Sequence, residues 1–144
     1  DMYHALKVIY FADRSHLAKY GRLIYGDCYV AMKLGPVPSA VYDIVKAARG
    51  DGVWSAVAME TTLAVEGNDL RPLREANLDL VSNSERACVD QAIQEYGQLP
   101  FQNLKDKSHD AAWEAAGEND IMSVESIAQS LADADSLLEH LRNG

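Results

Sequence analysis

Two prolines flanking one valine, in Gly35-Pro36-Val37-Pro38, constrain this chain more than any other four residues. Proline fixes φ and lacks an N–H, and it disfavours the helical conformation in the residue before it. Gly35 and Val37 are therefore expected to be extended, and no helix runs unbroken through this point. The tetrapeptide divides a helix expected over residues 2–20 from another expected over about residues 40–49, for which Ser39 is a good N-cap. Two of its four residues have no backbone N–H, so it is not a phosphate cradle. Two readings stand. It is either a rigid connector that sets the angle of the following helix, or a stiff surface loop preorganised for a partner.

The first helix carries Leu6, Ile9, Tyr10, Asp13, Leu17 and Tyr20 at helical spacing, with Asp13 interrupting the apolar stripe, and Gly21 is its stop. Residues 22–34 are rich in strand formers, and Gly26-Asp27 can turn the chain, which predicts a short extended segment or hairpin. The second helix has Val41, Ile44, Val45 and Ala48 on one face and ends at Gly50-Asp51-Gly52. Val53 to Met59 fits a short helix or a strand. Leu63 and Val65 alternate, Gly67-Asn68-Asp69 turns, and Leu70 and Leu73 return, which predicts a β-hairpin.

Ser82 and Glu85 form a capping-box pattern that opens a helix with Ala87, Cys88, Ala92, Ile93 and Tyr96 inward and Gly97 at its end. Pro100 opens a helix bearing Phe101 and Leu104, and residues 109–116 continue as helix with Trp113 as anchor. Ser123 caps a helix through Ala132, and Leu137, Leu138 and Leu141 give a last amphipathic turn or two. With no linker, repeat or low-complexity tract, residues 1–144 read as one mainly α (α+β) domain: compact, helical, with one or two small β-hairpins. A chain of 144 residues buries enough surface to fold without a metal or disulfide staple.

Charge narrows the function. The balance of 13 Lys and Arg against 22 Asp and Glu gives a net charge of -9. Nucleic-acid binding draws much of its affinity from cations that displace counterions on phosphate, so direct nucleic-acid binding is not expected. The N-terminal third is nonetheless mildly basic and the last third acidic, a dipolar surface able to steer a charged protein partner. Cys28 and Cys88 have no CxxC spacing and read as reduced, buried thiols of a cytoplasmic protein. No apolar run approaches the ~20 residues needed to span a bilayer.

Chemical motifs are absent: no GxSxG, no GxGxxG, no GxxxxGK[ST], no HExxH. Asp13 and His16 share a helix face, and His109 begins a later helix, so these three are the one set that a metal-dependent hydrolase would use. The alternative is a polar network that satisfies buried side chains between helices. We expect no catalytic residue, metal or cofactor. Of seven tyrosines, six precede residue 43: Tyr3, Tyr10, Tyr20, Tyr25, Tyr29 and Tyr42. Tyrosine combines an apolar body with a polar tip, and a cluster of this kind suits a protein-binding face in the N-terminal half.

These segments together resemble a known family. Lys7-Val8-Ile9-Tyr10-Phe11-Ala12-Asp13-Arg14-Ser15-His16-Leu17, followed by Tyr20-Gly21, is similar to the K-[LI]-[LI]-Y-[FY]-A-[DH]-x-x-[HY]-L pattern of the SocA-like antitoxin domain, also called Panacea. Met32 to Tyr42 resembles its GPVP-x-x-[VI]-Y segment, Ser82-x-Ser84-Glu85 its capped helix, and Ser108-His109-Asp110-Ala111-Ala112-Trp113 its SH-x-x-x-W segment. The resemblance implies an antitoxin of bacteria or their phages that neutralises a cognate toxin by direct binding. Different members face unrelated toxins, at least one acts as a proteolytic adaptor, and some carry an added DNA-binding domain. Members also have a helix before the tyrosine-containing one, which implies a segment upstream of this chain. The matched positions Tyr10, Asp13, His16, Gly35, Pro36, His109 and Trp113 are expected mostly to stabilise the fold. The toxin-binding candidates are Tyr25, Tyr29, Lys33, Gly35, Pro36, Val37 and Tyr42. Oligomeric state is left open.

Overall fold

The computed structural model describes residues 2–24, 28–48, 63–66, 69–72 and 77–143. Among these are seven α-helices and two small antiparallel sheets, the mainly α fold with hairpins that the sequence predicts. The expectations for Tyr25, Gly26-Asp27, Gly50-Asp51-Gly52, Val53 to Met59, Gly67-Asn68 and Leu73 lie outside the described residues.

Helix α1 (Met2–Tyr20) has the bounds the sequence predicts. Gly21 stops it with φ at +78°, its N–H donating to Leu17 O at 2.9 Å. The burial of α1 differs from the one-sided stripe expected. Met2, Leu6, Lys7, Val8, Tyr10, Phe11, Ala12, Asp13, His16 and Leu17 are buried, which surrounds the helix, while Tyr20 is exposed. A helix covered on all sides is the centre of its domain. Lys7 concealed this, because a charged side chain reads as surface.

After α1 the chain forms strands β1 (Tyr29–Met32) and β2 (Gly35–Pro38), paired from Tyr29↔Pro38 to Met32↔Gly35. The hairpin turns at Lys33-Leu34, and the proline segment is itself a strand. Pairs across an antiparallel ladder alternate between bonded and non-bonded. Ser39 N–H donates to Cys28 O at 2.8 Å, which continues the bonded series through odd-numbered residues of β2. Pro36 and Pro38 therefore occupy positions that need no N–H toward β1, and β2 is an edge strand, where proline is tolerated. Helix α2 (Ser39–Ala48) follows directly.

Strands β3 (Leu63–Glu66) and β4 (Asp69–Pro72) pair from Leu63↔Pro72 to Glu66↔Asp69, the second hairpin expected. A 3-10 turn at Leu78–Leu80 leads to helix α3 (Asn83–Tyr96). Its capping box is present: Glu85 N–H donates to Ser82 Oγ at 3.2 Å, and Ser82 N–H to Glu85 Oε1 at 2.9 Å. That amide bond, with Arg22 beside it, holds the Glu85 carboxyl down to about 2. Helix α3 is rotated from the expected orientation. Cys88 and Ala92 are buried with Val89 and Tyr96 packed beside them, whereas Ile93 is 53% exposed. Cys88 is buried as expected, but Cys28 is exposed.

Helices α4 (Phe101–Ser108) and α5 (Ala111–Ala115) meet at His109-Asp110. Asn119, at φ +64°, precedes a two-residue strand β5 (Ile121–Met122) that pairs with β1 and gives the sheet order β2-β1-β5. Helices α6 (Val124–Gln129) and α7 (Ala134–Asn143) complete the chain. The main core gathers Tyr10, Phe11 and Leu17 of α1 with Tyr29, Leu104, Met122, Ile127 and Leu137. None of the described helices is long and apolar enough to cross a membrane.

Candidate functional site

The polar residues of α1 each tie that helix to a different part of the chain. Asp13, fully buried, accepts the Ile24 N–H on Oδ1 at 2.7 Å and the Tyr29 hydroxyl on Oδ2 at 2.6 Å. It thereby holds both the link after α1 and the first residue of β1. One turn later, His16 Nδ1 lies 2.8 Å from Arg22 O, and Nε2 lies 3.0 Å from Ser84 Oγ at the start of α3. A carbonyl only accepts, so Nδ1 donates, and in the neutral ring Nε2 accepts from the serine.

Tyr10 and Arg14 converge on Asp110, each donating to Oδ2 at 2.7 Å. The other Asp110 oxygen caps α5 by accepting the Trp113 N–H at 3.0 Å. Burial first, and then the Asp110 charge, raises the Tyr10 hydroxyl well above its ordinary range. The Tyr29 ring meets the Tyr10 ring edge-on at 5.0 Å. Trp113 is pinned at both ends: its Nε1–H donates to Met32 O at 2.9 Å, and its ring stacks on His109 with centroids 3.8 Å apart and planes parallel to 1°. Burial lowers the His109 imidazole, with the charges of Lys105 and Lys7 acting in the same direction.

Asp13, His16 and His109 are not brought together as a hydrolase would need. Asp13 and His16 are engaged by backbone groups and hydroxyls, and His109 is stacked on Trp113. Among the described residues, no three His, Cys, Asp or Glu side chains are placed to hold a metal ion. Asp110 is a part of this network that sequence reasoning passed over, as it did the buried Lys7 and Ser108 nearby. The available signals were a lysine within the apolar run Leu6-Lys7-Val8-Ile9 and an aspartate three residues before Trp113 in N-cap position.

The toxin-binding candidates divide by burial. Tyr29, Gly35, Pro36 and Val37 are all buried, packed between α1, β1 and β2. Lys33, at the hairpin turn, is exposed. Tyr42 is half-buried, with Lys46 Nζ 4.9 Å from its ring centroid. Tyr25 lies outside the described residues. Beside the turn an open cleft of about 550 Å³ is lined by Ala31, Lys33, Trp113, Glu114, Ala116 and Glu118.

Comparison with known proteins adds one finding: the family model described as "Antitoxin SocA-like, Panacea domain" matches residues 6–114. No curated protein matches the chain, and no solved structure does.

Proposed function

The chain belongs to the SocA-like Panacea domain family of antitoxins, and on that premise we propose that it neutralises a cognate toxin by direct protein–protein binding. The observation that carries this reading is the extent of the family match, which runs from α1 through the β1–β2 hairpin to Trp113 and beyond it to residue 114. Local chemistry agrees with binding. Of the set a hydrolase would use, Asp13 and His16 spend their hydrogen-bonding capacity inside the fold, and His109 lies stacked on Trp113.

We assign the toxin-contacting surface to the Lys33 turn, the cleft between that turn and Trp113, and the accessible part of Tyr42 on α2. The buried candidates Tyr29, Gly35, Pro36 and Val37 support this surface from beneath. Trp113 Nε1 grips Met32 O, so the turn is held before any partner arrives. A preorganised surface loses less conformational entropy on binding. Lys33, Glu114 and Glu118 all line the cleft, a mixed-charge lining suited to a polar partner surface.

The test is co-expression with the product of the adjacent reading frame. Lys33→Glu and Tyr42→Ala should each weaken rescue of growth while leaving thermal unfolding unchanged. If both folded variants rescue as well as the wild type, the surface assignment is wrong. If the wild-type chain neither binds nor neutralises that product, the antitoxin reading itself fails for this pair.

A further inference from the structure

Glu114 and Glu118 differ from the carboxylates described so far. Asp13, Glu85 and Asp110 are engaged inside the fold by backbone amides, hydroxyls or arginines. Glu114 and Glu118 are exposed, and among the described residues neither has an ion pair or a side-chain hydrogen bond. Lys33, exposed at the hairpin turn, has none either. All three line the cleft of about 550 Å³ beside that turn, and the rest of its lining is Ala31, Trp113 and Ala116. The cleft therefore has an apolar part that is buried or half-buried and a charged part that is exposed, with two carboxylates against one ammonium.

Exposed charges are ordinary on a surface. What sets these apart is the fixing of the walls that carry them. Trp113 Nε1–H donates to Met32 O at 2.9 Å. Beyond α5, Asn119 N–H donates to Ala31 O at 2.7 Å, and Ala31 N–H to Asp120 O at 2.9 Å. Glu118 lies in the turn that Asp120 N–H closes on Gly117 O at 2.9 Å, with Asn119 at φ +64°. Both sides of the cleft are thus bonded to β1 at adjacent residues, Ala31 and Met32. The shape exists before a partner arrives, so little conformational entropy is lost on binding.

The chemistry of the lining selects its occupant. Trp113 has one ring face on His109 and its N–H on Met32 O, so it has only ring carbon to offer the cleft. An indole ring attracts a cation. Ala31 and Ala116 suit a hydrocarbon stem, and the excess of carboxylates favours a positive head. Arginine combines an apolar stem, a planar cation that stacks on aromatic rings and a fork of donors matched to carboxylates, whereas lysine lacks the planar fork. A wholly apolar side chain would gain nothing from Glu114 and Glu118.

We propose that this cleft receives one arginine side chain of the partner protein, its guanidinium against Trp113 and paired with Glu114 or Glu118, while Lys33 meets an acceptor oxygen beside that arginine. The proposal rests on the reading of the chain as an antitoxin and adds the chemistry of the toxin's contact element, which is basic and bears the arginine. A net charge of -9 on this chain steers such an element toward it.

The experiment follows the Trp113 indole N–H and the Ala31 and Ala116 methyl resonances of the full chain by NMR during titration with N-acetyl-argininamide. These resonances should shift saturably. N-acetyl-citrullinamide, of similar shape without the charge, should shift them much less at equal concentration and ionic strength. Glu114→Gln/Glu118→Gln should abolish the difference between the two probes and leave the melting temperature unchanged, since both residues are exposed. These titrations need no toxin, so they stand apart from the antitoxin reading, which the co-expression test decides. Against a toxin that the wild-type chain binds, the double variant should bind about tenfold or more weakly. Equal shifts from the two probes, an arginine response that survives in the double variant, or an unchanged affinity for the toxin would overturn the proposal.

Discussion

Replacing Asp13 with asparagine tests whether the carboxylate inside α1 is architecture. Asp13 is fully buried and takes two short hydrogen bonds, from Ile24 N–H at 2.7 Å and from the Tyr29 hydroxyl at 2.6 Å. Hydrogen bonds to a charged group contribute about 1.5–3 kcal/mol each, and neutral ones about 0.5–1.5. Asparagine keeps the shape but offers one oxygen and one NH₂ group. The amide of Ile24 cannot turn away, so the remaining oxygen must face it. The new NH₂ then faces Tyr29, whose hydroxyl must reverse its role from donor to acceptor. Weakening two charge-assisted bonds by roughly 1 kcal/mol apiece gives a destabilisation of about 2 kcal/mol. For a domain of this size that lowers the melting temperature by roughly 4–8 °C. Urea denaturation followed by circular dichroism measures the free energy directly. Tyr29→Phe removes the hydroxyl, and the double-mutant cycle should show coupling of about 1 kcal/mol or more. A loss below about 0.5 kcal/mol for Asp13→Asn, or full additivity with Tyr29→Phe, would refute the reasoning.

The Lys7 ammonium is held below its unfolded value of 10.5, at about 8, so between those limits the unfolded chain binds more protons than the folded one. Stability should therefore rise as pH increases from about 8 to about 10.5, by about 3 kcal/mol at most, and Lys7→Met should flatten that rise in denaturant midpoints taken across the window. Gly35→Ala should cost several kcal/mol, because the methyl group meets Ser108 and Lys7 at a φ of +119°. A melting temperature within 2 °C of the wild type would show that the α1–β2 approach is looser than described.

Local signals carried over faithfully where one residue type decides the conformation. Gly21 ends α1, the Ser82–Glu85 box starts α3, and Leu63–Glu66 pairs with Asp69–Pro72 as the alternation predicts. The proline strand was less legible, since proline argues against strands unless the edge position and register are known, and these depend on β1. β5 is two residues long and exists because β1 lies beside it, with Ala31 N–H donating to Asp120 O and Asn119 N–H to Ala31 O. The face of α3 was misjudged because Ala87, Cys88, Ala92 and Ile93 offer two overlapping apolar stripes, and only packing against Val8 and Ala12 chooses between them. At the candidate site, Asp13 and His16 were recognisable as a buried pair. Their partners were not, because Ile24 N–H and Arg22 O are backbone groups that no side-chain pattern reveals.

The alternation of prolines in β2 inverts the usual expectation for that residue. In an edge strand the even-numbered residues here turn their backbone outward, and both of those residues are proline. The outer border of the sheet thus has carbonyls but no N–H at Pro36 or Pro38, and both rings are wholly buried. Neighbouring elements can close over that border without stranding a donor in an apolar environment. Pro36→Ala, ordinarily a mild change in a strand, would introduce such a donor at a cost of about 1–3 kcal/mol. What reads in the sequence as an obstacle to a strand is the reason this strand can be covered.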